Sequence, residues 1–314
     1  MTQSTKQKKK KWQVDMISYK IVMPDADAPP MSMPKIVIEG ARKFKDISYS
    51  NAHPANLLDI YLPETGIGPF PTIIFIHGGA FNGGEKDDMQ VAIVIDALNR
   101  GYAVVSVEQR LIPVGGIFPY PIFDFKAAIR FLRANAAAYM LDETRFVTAG
   151  TSAGGYHAVM AAATHGIAAF EELAMGNSDV SSGVAAALGF FGVYDLVMQS
   201  EFSHELGPFP GATEVWDFAA AFLGVDPREH RELAAFADPT SYITAGMVPT
   251  LIQAGGADEV VPTAASIVIA EKIAAVCGEE RVQLDILEGA THGDERFNAP
   301  ENQEKIFAFL DRVL

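Results

Sequence analysis

Cysteine is almost absent from this sequence: Cys277 is the one thiol in 314 residues. A single thiol excludes an intrachain disulfide and any metal site built from cysteines. Cys277 stands in "AEKIAAVCGEE", at the end of a helical tract closed by Gly278, where it reads as a small apolar packing residue. Positive charge is also scarce. There are 24 Lys and Arg against 39 Asp and Glu, a formal net charge of −15. So acidic a surface repels phosphate backbones, which argues against nucleic acid as a partner. No apolar run reaches the ~20 residues of a membrane span, so no transmembrane segment is expected. The one basic block, Lys8 to Lys11, has no apolar stretch behind it. No signal peptide is visible, and the expected location is the cytoplasm. The block itself reads as a solvated N-terminal tail. Internal repeats are lacking too.

What is present is an ordinary globular composition, 49% apolar and 20% charged. The length fits one large domain, or two small ones, with a sizeable core. From about Asp46 onward, strand-like and helix-like segments alternate. "TIIFIH" (72–77) and "YAVVSV" (102–107) are apolar and rich in β-branched residues, the pattern of buried parallel strands. Segments 145–150, 185–191, 249–255 and 282–287 repeat it more weakly. Helical tracts lie between, at about 87–100, 123–139, 153–165, 263–277 and 301–312. This alternation predicts an α/β protein with a mostly parallel central sheet and helices on both faces. Segments 44–50 and 56–63 alternate polar and apolar residues and suit antiparallel strands at one edge. Residues 1–44 read as an N-terminal extension, and 45–314 as the main domain.

One stretch breaks the rhythm. About 196–245 shows no clear strand and reads as a glycine- and proline-containing loop followed by two short helices. A small helical cap inserted there would lie over the carboxyl edge of the sheet, where open α/β sheets bind ligands. Trp216, Phe218 and Phe222 on it either line a pocket or anchor the cap.

"GTSAG" (150–154) sits between a strand and a helix, the context of a nucleophile elbow. An abrupt strand-to-helix turn strains the backbone at Ser152 and lifts its hydroxyl above the sheet edge. Side chains at positions 150 and 154 would collide with neighbouring chain, so glycine suits both. A serine hydroxyl needs a base to become a good nucleophile. Of seven histidines, His292 in "THG" follows the last strand on a glycine-flanked loop and can reach back to Ser152. His157 and His165 lie on the helix after the serine, and His77 ends a strand. His53, His204 and His230 lie in polar loops or in the insertion. The base in turn needs an orienting carboxylate. Asp258 in "GGADEVVP" follows a strand; Glu259 and Asp195 are rivals. The order Ser, Asp, His is one in which this constellation occurs. "FIHGGAF" (75–81) follows another strand, and its glycines let backbone N–H groups face an oxyanion. Gly79, Ala80 and Ala153 are the candidate donors, and His77 is expected to fix the loop. The P-loop pattern is absent.

With these residues in place, the sequence resembles the α/β-hydrolase superfamily, and within it the esterase/lipase group with an HGG motif. The nearest likeness is to bacterial acetyl-xylan and feruloyl esterases and to the hormone-sensitive-lipase type. The resemblance covers about residues 45–314 and rests on "LLDIYLP", "FIHGGAF", "EQRLIP", "FPYPIFDFKAAIRFLRANAAAY", "GTSAGG", "GGADEVVP" and "THG". It implies an α/β-hydrolase fold with Ser152 as nucleophile, Asp258 as orienter and His292 as base. Two departures stand out. "EQRL" replaces D-Y-R-L, and Ala80 stands where the lipase type has a further glycine.

The expected activity is that of a serine carboxylesterase acting on small ester substrates, with no cofactor or metal required. Short acyl and aryl or hydroxycinnamoyl groups suit it equally, and Phe81, Tyr156, Trp216 and Phe218 are candidate pocket residues. An amidase or peptidase of the same superfamily is the alternative, and a non-catalytic ligand-binding protein a more distant one. Folds of this kind commonly form homodimers, and the oligomeric state is left open.

Overall fold

The computed structural model describes residues 16–24, 33–208 and 212–314. The Lys8 to Lys11 block lies outside them. The strands are β1 (Ser18–Val22), β2 (Lys35–Glu39), β3 (Arg42–Ser48), β4 (Leu57–Leu62), β5 (Phe70–Ile76), β6 (Ala103–Val107), β7 (Leu141–Thr151), β8 (Ala186–Phe190), β9 (Thr250–Gly255) and β10 (Val282–Leu287). Eight of them form one sheet in the order β10-β9-β8-β7-β5-β6-β4-β3. The run from β10 to β6 is parallel, and β4 and β3 complete that edge antiparallel. Both features are those expected from the apolar runs and from the alternation in 44–50 and 56–63.

The helices are α1 (Ala92–Ile95), α2 (Tyr120–Ala134), α3 (Ala153–Ala163), α4 (Leu196–Leu206), α5 (Phe218–Leu223), α6 (Arg231–Ala237), α7 (Thr263–Cys277) and α8 (Pro300–Val313). The tract expected as one helix over 87–100 is α1 flanked by tight 3₁₀ turns. The strand period of two sorts β5 between two cores. Ile73 and Phe75 pack with α1 and α8, whereas Ile74 and Ile76 pack with α2 and α3. Burial on both faces explains why the parallel strands are apolar throughout rather than alternating. Cys277 ends α7 half-buried, its thiol donating to the Thr244 carbonyl.

Two features depart from the sequence expectation. First, the extension contributes structure: β1 pairs antiparallel with β2, and Ile36 and Ile38 are buried against the α1 side of the sheet. The Ile36 N–H donates to Asp87 O, and Met89 N–H donates to Pro34 O. The main sheet also begins at Arg42, slightly before the expected boundary. Second, the insertion holds three helices rather than two, because α4 starts directly after Asp195, whose carboxylate caps it through Met198 N–H at 2.8 Å. No helix among the described residues is long and apolar enough to cross a membrane.

Candidate active site

β7 ends at Thr151 and α3 begins at Ala153, so the whole change of direction falls on Ser152. Its φ is +54°, a left-handed conformation that a non-glycine residue adopts only when its surroundings impose it. The imposing contacts are visible. Ser152 N–H donates to Phe190 O on the neighbouring strand at 2.9 Å. A Cβ at Gly150 would overlap the Gly154 carbonyl, and one at Gly154 would overlap the Ile76 carbonyl. The strand, the turn and the helix therefore approach too closely for any side chain but hydrogen at those two positions.

The hydroxyl reaches a histidine. His292 Nε2 lies 3.0 Å from Ser152 Oγ, and His292 Nδ1 lies 2.8 Å from Asp258 Oδ2. The Asp258 side chain is 1% exposed, and its other oxygen accepts the N–H groups of Val260 and Val261, each at 2.9 Å. A carboxylate fixed on one oxygen can orient an imidazole with the other. Of the rival acids, Asp195 caps α4, and Glu259 is solvent-exposed. The loop carrying His292 is itself pinned by Arg296, which donates to the carbonyls of Glu288 and Gly289 and pairs with Asp294.

The turn after β5 faces the elbow. Gly79 has φ +115°, and Ala80 and Phe81 follow with φ +52° and +61°. No hydrogen bond among the described residues takes up the Gly79 or Ala80 N–H. Ala153 is the first residue of α3, so its N–H has no acceptor within the helix. Gly79 and Ala80 line the cavity that also exposes Ser152, and Ala153 follows Ser152 in the chain. His77 holds the turn from below. Its Nδ1 bonds the Gly78 carbonyl at 2.8 Å and its Nε2 bonds Glu108 Oε1 at 2.9 Å. Both partners are acceptors, so both ring nitrogens carry protons. Burial pushes the His77 pKa down, but the Glu108 carboxylate, the Asp88 charge and the Gly78 carbonyl together raise it to about 9. Glu108 Oε2 also accepts Lys86 N–H. The glutamate of "EQRL" is thus part of the turn's support, a role the sequence did not reveal. His157 has the opposite fate: burial among Phe81, Tyr156 and Phe222 pushes its pKa down to about 3.

Ser152 and His292 open onto a cavity of about 390 Å³. Its walls include Met33, Met89, Ile93, Phe191 and Phe297, none of which the sequence singles out. Of the four aromatic residues suggested for the pocket, Trp216 lines it. Phe81, Tyr156 and Phe218 do not; that expectation is corrected. They are buried where the cap helices α4, α5 and α6 pack on α2, α3 and the turn after β5. Phe81 stacks on Phe222 at 3.9 Å between centroids, and the Tyr156 hydroxyl donates to Ala237 O at 2.6 Å. These contacts dock the cap, because a large apolar ring gains more from full burial than from a half-open wall. Among the described residues no group of three or more His, Cys, Asp or Glu is placed to hold a metal ion.

Known proteins resemble the chain at both levels. Esterase LipC of Mycobacterium tuberculosis is 29% identical over 246 residues, covering 76% of this chain and 57% of LipC. The chain spans about half the length of the curated relatives it matches. Among solved structures, a truncated carbohydrate esterase from gut microbiota superposes with a TM-score of 0.76 at 25% identity, covering 87% of this chain and 96% of the other. A bifunctional GH43-CE protein of Bacteroides eggerthii gives 0.72 at 29% identity, covering 86% of this chain and 35% of the other. Residues 58–273 match the BD-FAE family across the sheet, the elbow and the Asp258 loop, and the chain belongs to that family, on an α/β-hydrolase fold.

Proposed function

We propose that this protein is a serine carboxylesterase working through an acyl-enzyme. One observation carries the reading: the continuous hydrogen-bonded series from Ser152 through His292 to Asp258, at 3.0 and 2.8 Å. His292 Nε2 takes the Ser152 proton as Oγ bonds to the ester carbonyl carbon. The carbonyl oxygen becomes an oxyanion facing the N–H groups of Gly79, Ala80 and Ala153. Each such donor is worth roughly 3 kcal/mol in the transition state. The intermediate collapses, the C–O bond breaks, and the alcohol departs with the proton from His292. Water then gives its proton to His292 and attacks the acyl carbon, which releases the acid and restores Ser152. Asp258 keeps the imidazole in the tautomer with Nε2 free to accept, and stabilises the imidazolium.

The cavity supports an uncharged acyl group, short aliphatic or aryl in the manner of hydroxycinnamoyl, because Met33, Met89, Ile93, Phe191 and Phe297 stand among its walls. The neighbour named a carbohydrate esterase supports an alcohol portion borne on a sugar. Ser152→Ala should lower hydrolysis of a short p-nitrophenyl ester by at least about 1,000-fold with the fold intact. A variant that turns over at the wild-type rate overturns the reading. Faster cleavage of a matched anilide than of the ester would make the protein an amidase instead, and failure of a fluorophosphonate to label Ser152 would leave a binding protein.

A further inference from the structure

The oxyanion turn and the nucleophile elbow come from different strands, β5 and β7, and catalysis requires their relative position to be fixed to a fraction of an ångström. Adjacent parallel strands fix it only as far as Ile76 pairs with Gly150. Beyond that register β5 has ended, while β7 runs one residue further, paired with β8. Among the described residues one side chain hydrogen-bonds both segments. Gln90 Oε1 accepts the Gly78 N–H at 2.9 Å and the Thr151 hydroxyl at 2.7 Å. Gly78 immediately precedes the donor Gly79, and Thr151 immediately precedes Ser152.

The amide cannot be turned over without loss. Two donors meet its oxygen, and its nitrogen donates to Asp88 Oδ2 at 3.0 Å. Reversed, the NH₂ group would face an N–H, and the oxygen would face a carboxylate. Asp88 is 1% exposed and also accepts the Gln90 N–H at 2.9 Å and the Glu85 N–H at 3.2 Å. The bolt is therefore anchored to buried structure rather than to a free loop. Gly78 itself is pressed on the elbow: a Cβ there would lie 2.6 Å from Thr151 O and 2.8 Å from both Ser152 Cβ and Gln90 Oε1.

We infer that Gln90 is a positioning residue that locks the oxyanion donors to the nucleophile through a single shared amide oxygen. This role rests on the reading of Ser152 as nucleophile. Gln90 also borders the cavity, so a direct contact with substrate is the competing role, and the two separate in kinetics.

The test compares Gln90→Met, Thr151→Val and the double variant, with kcat expressed per fluorophosphonate-titrated site on p-nitrophenyl acetate. Gln90→Met should lower kcat about 100-fold, the loss a displacement on the order of 1 Å produces. KM should stay within about twofold, since no substrate contact is removed. Adding Thr151→Val to Gln90→Met should lower kcat no further, because that hydroxyl has already lost its acceptor. Amide exchange at Gly78, read independently of activity, should accelerate in Gln90→Met. Unchanged kcat per titrated site, a KM increase alone, or additive losses would each overturn the inference. An inert wild type that no fluorophosphonate labels would instead remove the hydrolase reading, and unchanged Gly78 exchange would remove the bolt.

Discussion

Asp258 divides its two oxygens between its own loop and His292: Oδ1 accepts the N–H groups of Val260 and Val261, while Oδ2 meets the imidazole Nδ1 at 2.8 Å. Asp195, which also follows a strand, spends its carboxylate on the first turn of α4. Asp258→Asn presents an amide that can offer the imidazole the wrong hydrogen-bonding partner, so kcat should fall by about 10⁴-fold where the tautomer is reversed. Asp195→Asn should keep most of the turnover, since Asn also caps helices well. Ester hydrolysis by the two purified variants decides it. A larger loss from Asp195→Asn would mean that Asp258 is not the orienting acid.

That contrast shows what was legible in the sequence and what was not. Strands such as Thr250–Gly255 and the helix Thr263–Cys277 could be read because burial on both faces, or helical spacing, leaves a dense apolar signature. The elbow could be read because steric exclusion leaves glycines at fixed offsets from Ser152. Asp195 and Asp258 could not be separated, because an aspartate ending a strand looks alike whether it caps a helix or faces a histidine. The direction of Tyr156 and Phe218 was equally hidden. Both sit on helices whose apolar residues serve the core and the cap together, and sequence does not say which side the cavity opens. The β1–β2 pair leaves little trace in the sequence because Ile36 and Ile38 alone of its strand residues are buried. Gln90 lay inside a tract read as helix, and its value comes from two partners far away in sequence.

The His77–Glu108 pair predicts a pH dependence of stability. The folded pKa of His77 is raised to about 9 from an ordinary 6.5. A raised base binds its proton more tightly in the folded state. Its contribution is therefore fully present below pH ~6.5 and is lost as pH rises through ~9. The shift corresponds to about 3 kcal/mol. Glu108→Gln removes the charge that holds the proton. The stability gap between wild type and Glu108→Gln should be widest near pH 6 and should narrow as pH rises to about 9.5. Urea titrations across that range measure it. A gap independent of pH would show that His77 does not carry the charge in the folded protein.

Two glycines in the turn after β5 give the sharpest steric contrast. Gly79 has φ +115°, and a Cβ there would overlap the Gly83 carbonyl. Gly83 has ordinary φ and nothing within 4 Å of an added Cβ. Gly79→Ala must therefore displace the backbone whose N–H is proposed to meet the oxyanion. Loss of one such donor lowers kcat by about 100- to 1,000-fold. Gly83→Ala adds a methyl to open space and restricts the unfolded chain, so stability should change by no more than about 1 kcal/mol and in the favourable direction. Turnover per fluorophosphonate-titrated site should fall in the first variant and hold in the second. The comparison is internal to one short loop, so a general softening of the turn would lower both alike. Equal losses would mean that loop rigidity, not the placement of the Gly79 N–H, governs the rate.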